Sequence, residues 1–320
     1  MVRALLAAMF TGVAAPAVGT YLVQRRLALM GDGIGHIAVT GVGLGLLTGQ
    51  SPVLTAVVVA IFGAVLIELV REVGKASGDV ALALIFYGGI AGGVMVTGLA
   101  GGSAQMLHSY LFGSITTVSA QDVWTVVGLA GVVIFLAVGF APQLFAVCQD
   151  EEFAKASGLK VRAYTLMTSV MAAVTVTVAM RTVGLLLVSA LMVVPVASAQ
   201  QLARGFKVTI FLAMTIGLAA AVGGVVTSFY ADVAPGASIV LIALAGFVAA
   251  WPVGGLVRRR RRLRQPFQSG DDLPHTAVPE DHVHEHSEDC GHQAVRHGDH
   301  IDYVHGGHRH AMHGDHYDEH

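Results

Sequence analysis

The feature that most constrains the fold is a series of long apolar stretches between Ala4 and Val257. Each has roughly 18–24 residues, enough for an α-helix to cross the ~30 Å hydrocarbon core of a bilayer. The chain is 54% hydrophobic and 12% charged, whereas about 25% of the residues in a soluble domain are charged. These patterns predict an all-α, polytopic membrane protein and exclude an ordinary soluble domain.

The predicted spans follow directly from the apolar stretches. They cover residues 4–23, 30–49, 52–70, 79–99, 122–147, 163–181, 183–203, 208–229 and 235–256. This pattern predicts nine helices, or eight full crossings if the glycine-rich second span is broken or re-entrant. Residues 1–257 are accordingly predicted to form one transmembrane domain.

Basic residues indicate which span ends face the cytoplasm. They form clusters at alternate ends of the predicted spans, namely Arg25 and Arg26, Arg71 and Lys75, Lys155, Lys160 and Arg162, Arg204 and Lys207, and Arg258 to Arg262 with Arg264. Because Lys and Arg are enriched in cytoplasmic loops, the C-terminus is predicted to be cytoplasmic. The run that begins at Arg258 is interpreted as an anchor at the lipid surface and not as a nucleic-acid site.

Residues 258–320 form a second region, basic at first and then rich in histidine. Of the 15 histidines, all but His36 and His108 lie between His275 and His320. Alternation of His with Asp, Glu and Gly is too polar and too flexible to build a core, which predicts a disordered tail. Imidazoles with carboxylates or a thiol bind borderline divalent ions. The candidate ligands are His282, His284, His286, Cys290, His292, His305, His308, His310 and His313. Such a tail is compatible with three roles in the cytoplasm: a metal buffer, an acceptor of the transported metal or a metal sensor.

Asp32 and His36 are a carboxylate and an imidazole four residues apart in the apolar run GDGIGHIAVTGVGLG. On a helix this spacing places both side chains on one face. An ionisable residue inside a bilayer costs about 2.5–3.5 kcal/mol, so such residues usually face a polar cavity and mark a pathway. Oxygen and nitrogen donors together suit zinc or manganese. The alternative is a buried Asp–His hydrogen bond that only joins two helices.

The depth of Asp32 in the bilayer depends on how the second span begins. Asp32 follows Arg26 by only six residues, so a straight helix would leave it near the cytoplasmic surface. Gly31, Gly33 and Gly35 weaken helical order at this point. We therefore predict an unwound approach that carries Asp32 deeper before a regular helix begins.

The stretch from Gln149 to Arg162 is the longest charged segment within residues 1–257. Acidic residues open it, which suits a helix N-terminus, and Gly158 is placed to end the turn. Phe153, Ala154 and Ala156 are predicted to form a small apolar face. A short amphipathic helix of this kind suits docking in a partner's groove, although a solvated connecting loop has the same composition.

The run RRLALMGDGIGHIAVTGVGLG resembles the permease subunits of zinc/manganese-type ABC importers, in which an Arg-rich helix end precedes Gly-Asp and, four residues on, His. The stretch that starts at EEFAKASGLKVR, with PVASA from Pro195, is similar to that family's coupling loop and following helices. The resemblance covers residues 1–255. It implies a homodimeric pore in the bacterial plasma membrane, two cytoplasmic ATPase subunits and an extracellular metal-binding protein.

The resemblance also assigns roles to individual residues. Asp32 and His36 match the family's intramembrane metal ligands. The residues that match its ATPase-docking segment are Glu151, Glu152, Phe153, Ala154, Gly158 and Leu159. A two-fold axis through the pathway would bring four ligands together, the number that a closed zinc site prefers.

The resemblance implies a transported ion, zinc first and manganese second, and no tightly bound cofactor. The histidines favour zinc, since manganese prefers oxygen ligands. The chain has no phosphate loop GxxxxGK[ST], so ATP hydrolysis is assigned to a separate subunit and the chain is predicted not to be an enzyme.

Three other functions are alternatives to that of an importer permease. A cation-diffusion exporter would need further intramembrane ligands, and Glu68, the clear candidate, is spaced to pair with Arg71. A membrane metal sensor that does not transport would also use the histidine tail. An intramembrane hydrolase is not supported, because the spans contain neither HExxH nor GxSxG.

Overall fold

The fold is taken from a computed structural model that describes residues 2–72, 78–101, 109–113, 119–180, 183–264, 276–277, 290–297, 300–305, 308–313 and 316–319. Its contacts divide the chain into two compact units, Met1–Leu256 and Val257–His320.

The first unit is built from helices. They are α1 (Val2–Gln24), α2 (Met30–Thr48), α3 (Pro52–Glu72), α4 (Gly78–Leu99), α5 (Ala120–Gly139), α6 (Ala141–Gln149), α7 (Glu151–Ala156), α8 (Val161–Ala179), α9 (Leu185–Leu202), α10 (Phe206–Ala231) and α11 (Pro235–Arg264). Within the described residues, seven helices are long and apolar enough to cross a membrane: α1, α2, α3, α5, α8, α10, and α11 as far as Leu256. Shorter apolar segments cover 86–99 in α4 and 187–202 in α9. The predicted all-α, multi-pass architecture is confirmed.

Two predicted spans differ in detail from the structure. The second is one continuous helix, α2, so the broken or re-entrant alternative is wrong. The fifth, predicted as a single helix over 122–147, is interrupted at Phe140 and divides into α5 and α6. Pro142 explains this break, because proline lacks an N–H and is accommodated in the first turn of a helix but not in its interior.

Helix α1 lies at the centre of this unit. Between Thr11 and Leu22 nearly every residue is buried, against α5, α8, α9 and α10. A Cβ added to Gly217 of α10 would lie 2.3 Å from the carbonyl oxygen of Gly12. Lipid tails are as apolar as side chains, so helix association in a bilayer depends on close contact of this kind between small residues.

The described part of the second unit forms an antiparallel sheet. Its strands are β1 (Thr276–Ala277), β2 (Gln293–His297), β3 (His300–His305), β4 (His308–His313) and β5 (His316–Glu319), in the spatial order β1-β5-β4-β3-β2. From β2 onward, successive strands are separated by Gly-Asp, Gly-Gly and Gly-Asp. Two-residue loops of this composition favour β-hairpins, a local signal that overall composition does not capture.

Candidate functional site

Helix α2 carries the two candidate metal ligands on one face. Asp32 lies in its first turn, and His36 follows one turn later. Both side chains are half-buried, whereas residues 33–35 between them are buried against neighbouring helices. The two donors therefore share the less covered face of α2.

The predicted unwound approach to Asp32 is wrong. Helix α2 begins at Met30 and passes through Asp32 without interruption. Its glycines instead allow close packing on α9. A Cβ added to Gly35 would lie 2.4 Å from Leu185 Cδ1, so the Leu185 side chain would have to move to admit a larger residue. Glycine at this position allows α2 and α9 to approach closely, and the backbone of Gly35 is ordinary helix.

Helix α4 fixes the position of the imidazole. The ring of Phe86 meets that of His36 edge to face, with centroids 4.5 Å apart and an interplanar angle of 79°, a favoured aromatic geometry. The backbones touch close by, since a Cβ on Gly89 would lie 2.7 Å from the amide nitrogen of Ile37. Thr40, one turn beyond His36, donates a hydrogen bond of 3.0 Å to the carbonyl of Gly89. These contacts are made by the protein alone, so the position of the His36 ring does not depend on a bound ion.

Glu68 does not extend this pair of ligands. Its carboxylate is 8% exposed and accepts a hydrogen bond of 2.8 Å from Ser169 Oγ. Arg71 approaches its two oxygens at 3.2 and 3.3 Å, which is the ion pair that the spacing indicated. Among the described residues, no group of three or more His, Cys, Asp or Glu side chains is placed to hold a metal ion. Asp32 and His36 thus remain the two candidate donors on α2.

The helix predicted in the charged segment is confirmed as α7. Asp150 caps its start, because Asp150 Oδ1 accepts hydrogen bonds of 2.9 Å from the amides of Glu152 and Phe153. Gly158 follows the helix with φ +82°, a left-handed conformation that glycine adopts at low cost. The amide of Leu159 then donates to the carbonyl of Ala154 at 3.0 Å and closes the turn.

The apolar face predicted for this helix is not continuous. Ala154 is fully buried, whereas Ala156 is exposed and Phe153 leaves 67% of its surface exposed. Ala154 therefore packs α7 onto the rest of the unit. Phe153 offers an uncovered aromatic ring outside the apolar spans.

A connection between α7 and the end of α1 is not predicted by any local sequence pattern. Arg25, which the sequence indicates only as a topology signal, forms an ion pair with Glu151, and its side chain is 7% exposed. Nearby, Cys148 Sγ donates to the carbonyl of Tyr21 at 3.8 Å. Burial raises the pKa of the Cys148 thiol to about 11, and the charge of Arg25 partly opposes this effect. The turn that leads from α1 to Asp32 is thus joined to the predicted docking segment.

A cavity of about 570 Å³ opens beside this ion pair. The charged residues that line it are Arg25, Glu68, Arg71, Glu151, Glu152, Lys155, Lys160 and Arg162. Glu151 exposes 54% of its side chain. A partly exposed pair contributes about 0.2–1 kcal/mol to stability, so the pair of Arg25 and Glu151 adds little to the stability of the fold.

Comparison with known proteins identifies the family. Residues 1–253 match the ABC 3 transport family. The chain is 31% identical over 261 residues to the manganese transport system membrane protein MntC of Halalkalibacterium halodurans. The aligned region covers 80% of this chain and 89% of that protein. It is 27% identical over 254 residues to the high-affinity zinc uptake system membrane protein ZnuB of Haemophilus influenzae, with coverage of 78% and 97%.

A solved structure agrees with these relatives. The chain is similar to PsaBC from Streptococcus pneumoniae in complex with Fab, with a TM-score of 0.71 and 32% identity over 78% of this chain and 90% of that chain. The resemblance found in the sequence is confirmed: the chain belongs to the ABC 3 transport family, a family of metal ABC importer permeases.

Proposed function

We propose that this chain is the permease subunit of an ATP-driven importer for zinc or manganese, and that two copies form one pore. The observation that carries the proposal is the carboxylate and imidazole on the less buried face of α2. Membership of the family supports import over the exporter, sensor and hydrolase alternatives. In this proposal the metal is cargo, and no resident cofactor is needed.

A pair of chains would complete the ion site. Asp32 and His36 give two donors per chain, and a two-fold axis would double them to two oxygens and two nitrogens. Four donors satisfy zinc. A pathway also requires that the ion leave, so a site shared between two movable subunits is better suited to transport than a closed cage within one chain.

Zinc is the first candidate cargo and manganese the second. Imidazole donors favour zinc, whereas manganese prefers oxygen, and the names of the relatives include both metals. The test is uptake of each ion, offered alone, by proteoliposomes that contain the permease with its ATPase subunit. We expect ATP-dependent accumulation of Zn²⁺. If Mn²⁺ accumulates and Zn²⁺ does not, the order of the two candidate ions is reversed. If neither ion accumulates, the proposed function is wrong.

Partners follow from the same proposal. The ATPase is a separate cytoplasmic subunit that docks on α7 and the turn to Leu159, and an extracellular metal-binding protein delivers the ion. The basic clusters support a cytoplasmic C-terminus, on the same side as α7. A lipid bilayer surrounds the apolar helices, and no nucleic acid takes part.

Truncation of Phe153 tests the docking surface. Phe153→Ala is expected to weaken co-purification of the ATPase subunit by about tenfold or more, since an interface aromatic anchor contributes about 2 kcal/mol. Phe135→Ala is the matched control, because Phe135 on α5 exposes a similar 70% of its surface but lies within an apolar span. Equal ATPase retention in the wild type and both variants would exclude Phe153 as an anchor.

Charge reversal tests the connection between α7 and α1. Arg25→Glu is expected to raise the number of ATP molecules hydrolysed per ion transported severalfold, because like charges would then repel at Glu151. Combining Arg25→Glu with Glu151→Arg should restore much of the coupling. The control is Lys160→Glu, which alters a charge in the same cavity but lies beyond α7 and the turn to Leu159, and it should leave the ratio near the wild-type value. A double variant no better coupled than Arg25→Glu would refute the connection.

A further inference from the structure

Helix α4 brings an apolar ring into contact with the candidate ligand His36. The centroids of the Phe86 and His36 rings are 4.5 Å apart, at the short end of the range of about 4.5–7 Å for aromatic pairs. At this separation no water molecule fits between the two rings. The Phe86 ring also contacts that of Tyr87, with centroids 5.5 Å apart and an interplanar angle of 86°. An apolar surface therefore borders one side of the imidazole.

Glycines on α4 fix the distance between this ring and α2. A Cβ added to Gly89 would lie 2.8 Å from the carbonyl carbon of His36, and one added to Gly93 would lie 2.9 Å from Val39 Cγ1. Phe86 precedes Gly89 by three residues, which places it on the same face of α4. Close packing of the two helix backbones thus holds Phe86 beside the imidazole.

Zinc and manganese differ in how many ligands they take. Zinc sites are usually four-coordinate, whereas manganese favours six oxygen ligands, which include water. Asp32 and His36 from two chains would give four donors, so manganese would need about two more ligands from water. The apolar shell around a metal site controls the access of water. A ring in contact with a ligating imidazole therefore disfavours the ion that has to keep its water.

We propose that Phe86 determines ion specificity, and that it favours zinc over manganese by excluding water from the ion bound at His36. This inference rests on the proposed function, since it requires that His36 bind the transported ion. Phe86 supplies no ligand of its own. It acts through the space that its ring occupies next to the imidazole.

The test replaces the ring with two side chains that resemble each other in shape and differ in polarity. Phe86→Leu keeps an apolar surface beside His36, whereas Phe86→Asn admits water. Proteoliposomes that contain the permease and its ATPase subunit are offered equal concentrations of Zn²⁺ and Mn²⁺ together. Elemental analysis then measures the accumulated metals, after subtraction of a sample without ATP.

Phe86→Asn is expected to lower the ratio of accumulated zinc to manganese by about tenfold or more, which is the scale of changes to the outer shell of a metal site. Phe86→Leu should stay near the wild-type ratio. Because both ions compete in one sample, the ratio does not depend on the amount of folded transporter. Phe86→Ala opens the same space without adding a polar group, and it is expected to lower the ratio as Phe86→Asn does.

Phe10→Ala is the matched control. It removes a partly buried ring from α1 and should leave the ratio unchanged. Uptake of neither ion by the wild type would contradict the proposed function itself.

Four results would contradict the inference about Phe86 alone. They are a wild type that prefers manganese, equal ratios in Phe86→Asn, Phe86→Ala and Phe86→Leu, an equal loss of zinc preference in Phe10→Ala, and loss of uptake of both ions in Phe86→Asn and Phe86→Ala. The last result would mean that the ring is needed for assembly and not for selection.

Discussion

Asp32→Asn and His36→Gln are each expected to reduce ATP-driven zinc uptake into proteoliposomes by more than tenfold. Both substitutions keep the approximate size of the side chain and replace the proposed donor, a carboxylate or an imidazole, with a neutral amide. Changing even the outer-shell partners of a metal ligand costs about 10–100-fold in affinity or activity, so losing a ligand should cost at least as much. In a two-chain site each substitution removes two of the four donors.

Two observations separate this result from a folding defect. The variants should assemble with the ATPase subunit as well as the wild type, because the backbone of α2 packs on Gly89 of α4 and Thr40 donates to the Gly89 carbonyl, contacts that involve neither donor side chain. His108→Gln serves as the matched control, since His108 is the other histidine within residues 1–257. It lies outside the described residues. Wild-type uptake by Asp32→Asn or His36→Gln would refute the ligand assignment.

Gly19→Ala is expected to destabilise the folded chain by more than about 2 kcal/mol. The added Cβ would lie 2.0 Å from the carbonyl oxygen of Met192 on α9, and no rotamer relieves a clash with backbone. Overpacking of a tight core typically costs about 1–3 kcal/mol. The equilibrium unfolding of the purified chain in mixed micelles measures this change.

The control for Gly19→Ala is the same substitution where space is available. A Cβ on Gly128 of α5 meets no atom within 4 Å, so Gly128→Ala should be neutral or stabilising by up to about 1 kcal/mol, since alanine favours a helix interior. Similar unfolding free energies for the two variants would show that α1 and α9 are packed less closely at this point than the structure describes.

Much of the fold could be predicted from the sequence because the bilayer dictates helix length. The apolar stretches located the spans, and the shared face of Asp32 and His36 followed from helical periodicity. Glycine was the main source of error. The local sequence around Gly35 is compatible both with an unwound helix and with a helix that packs closely on a neighbour. The neighbour, Leu185 on α9, is distant in the sequence and is seen only in the structure.

Other features needed tertiary information. Pro142 could have indicated the break at Phe140, but the continuous apolar run hid it. The pairing of Arg25 with Glu151 joins residues far apart in the chain, and no local pattern encodes it. The candidate ligands His282, His284 and His286 lie outside the described residues.

The ion pair between Arg25 and Glu151 has a mechanical consequence for the proposed transporter. Arg25 is seven residues from Asp32 along the chain, so a displacement of the docking helix has only one turn and the start of α2 to cross before it reaches the cargo. A displacement of α7 would therefore not need to pass through the packed helices of the membrane-spanning core to reach Asp32. In the proposed transporter, a movement of α7 would therefore act on the start of α2 directly.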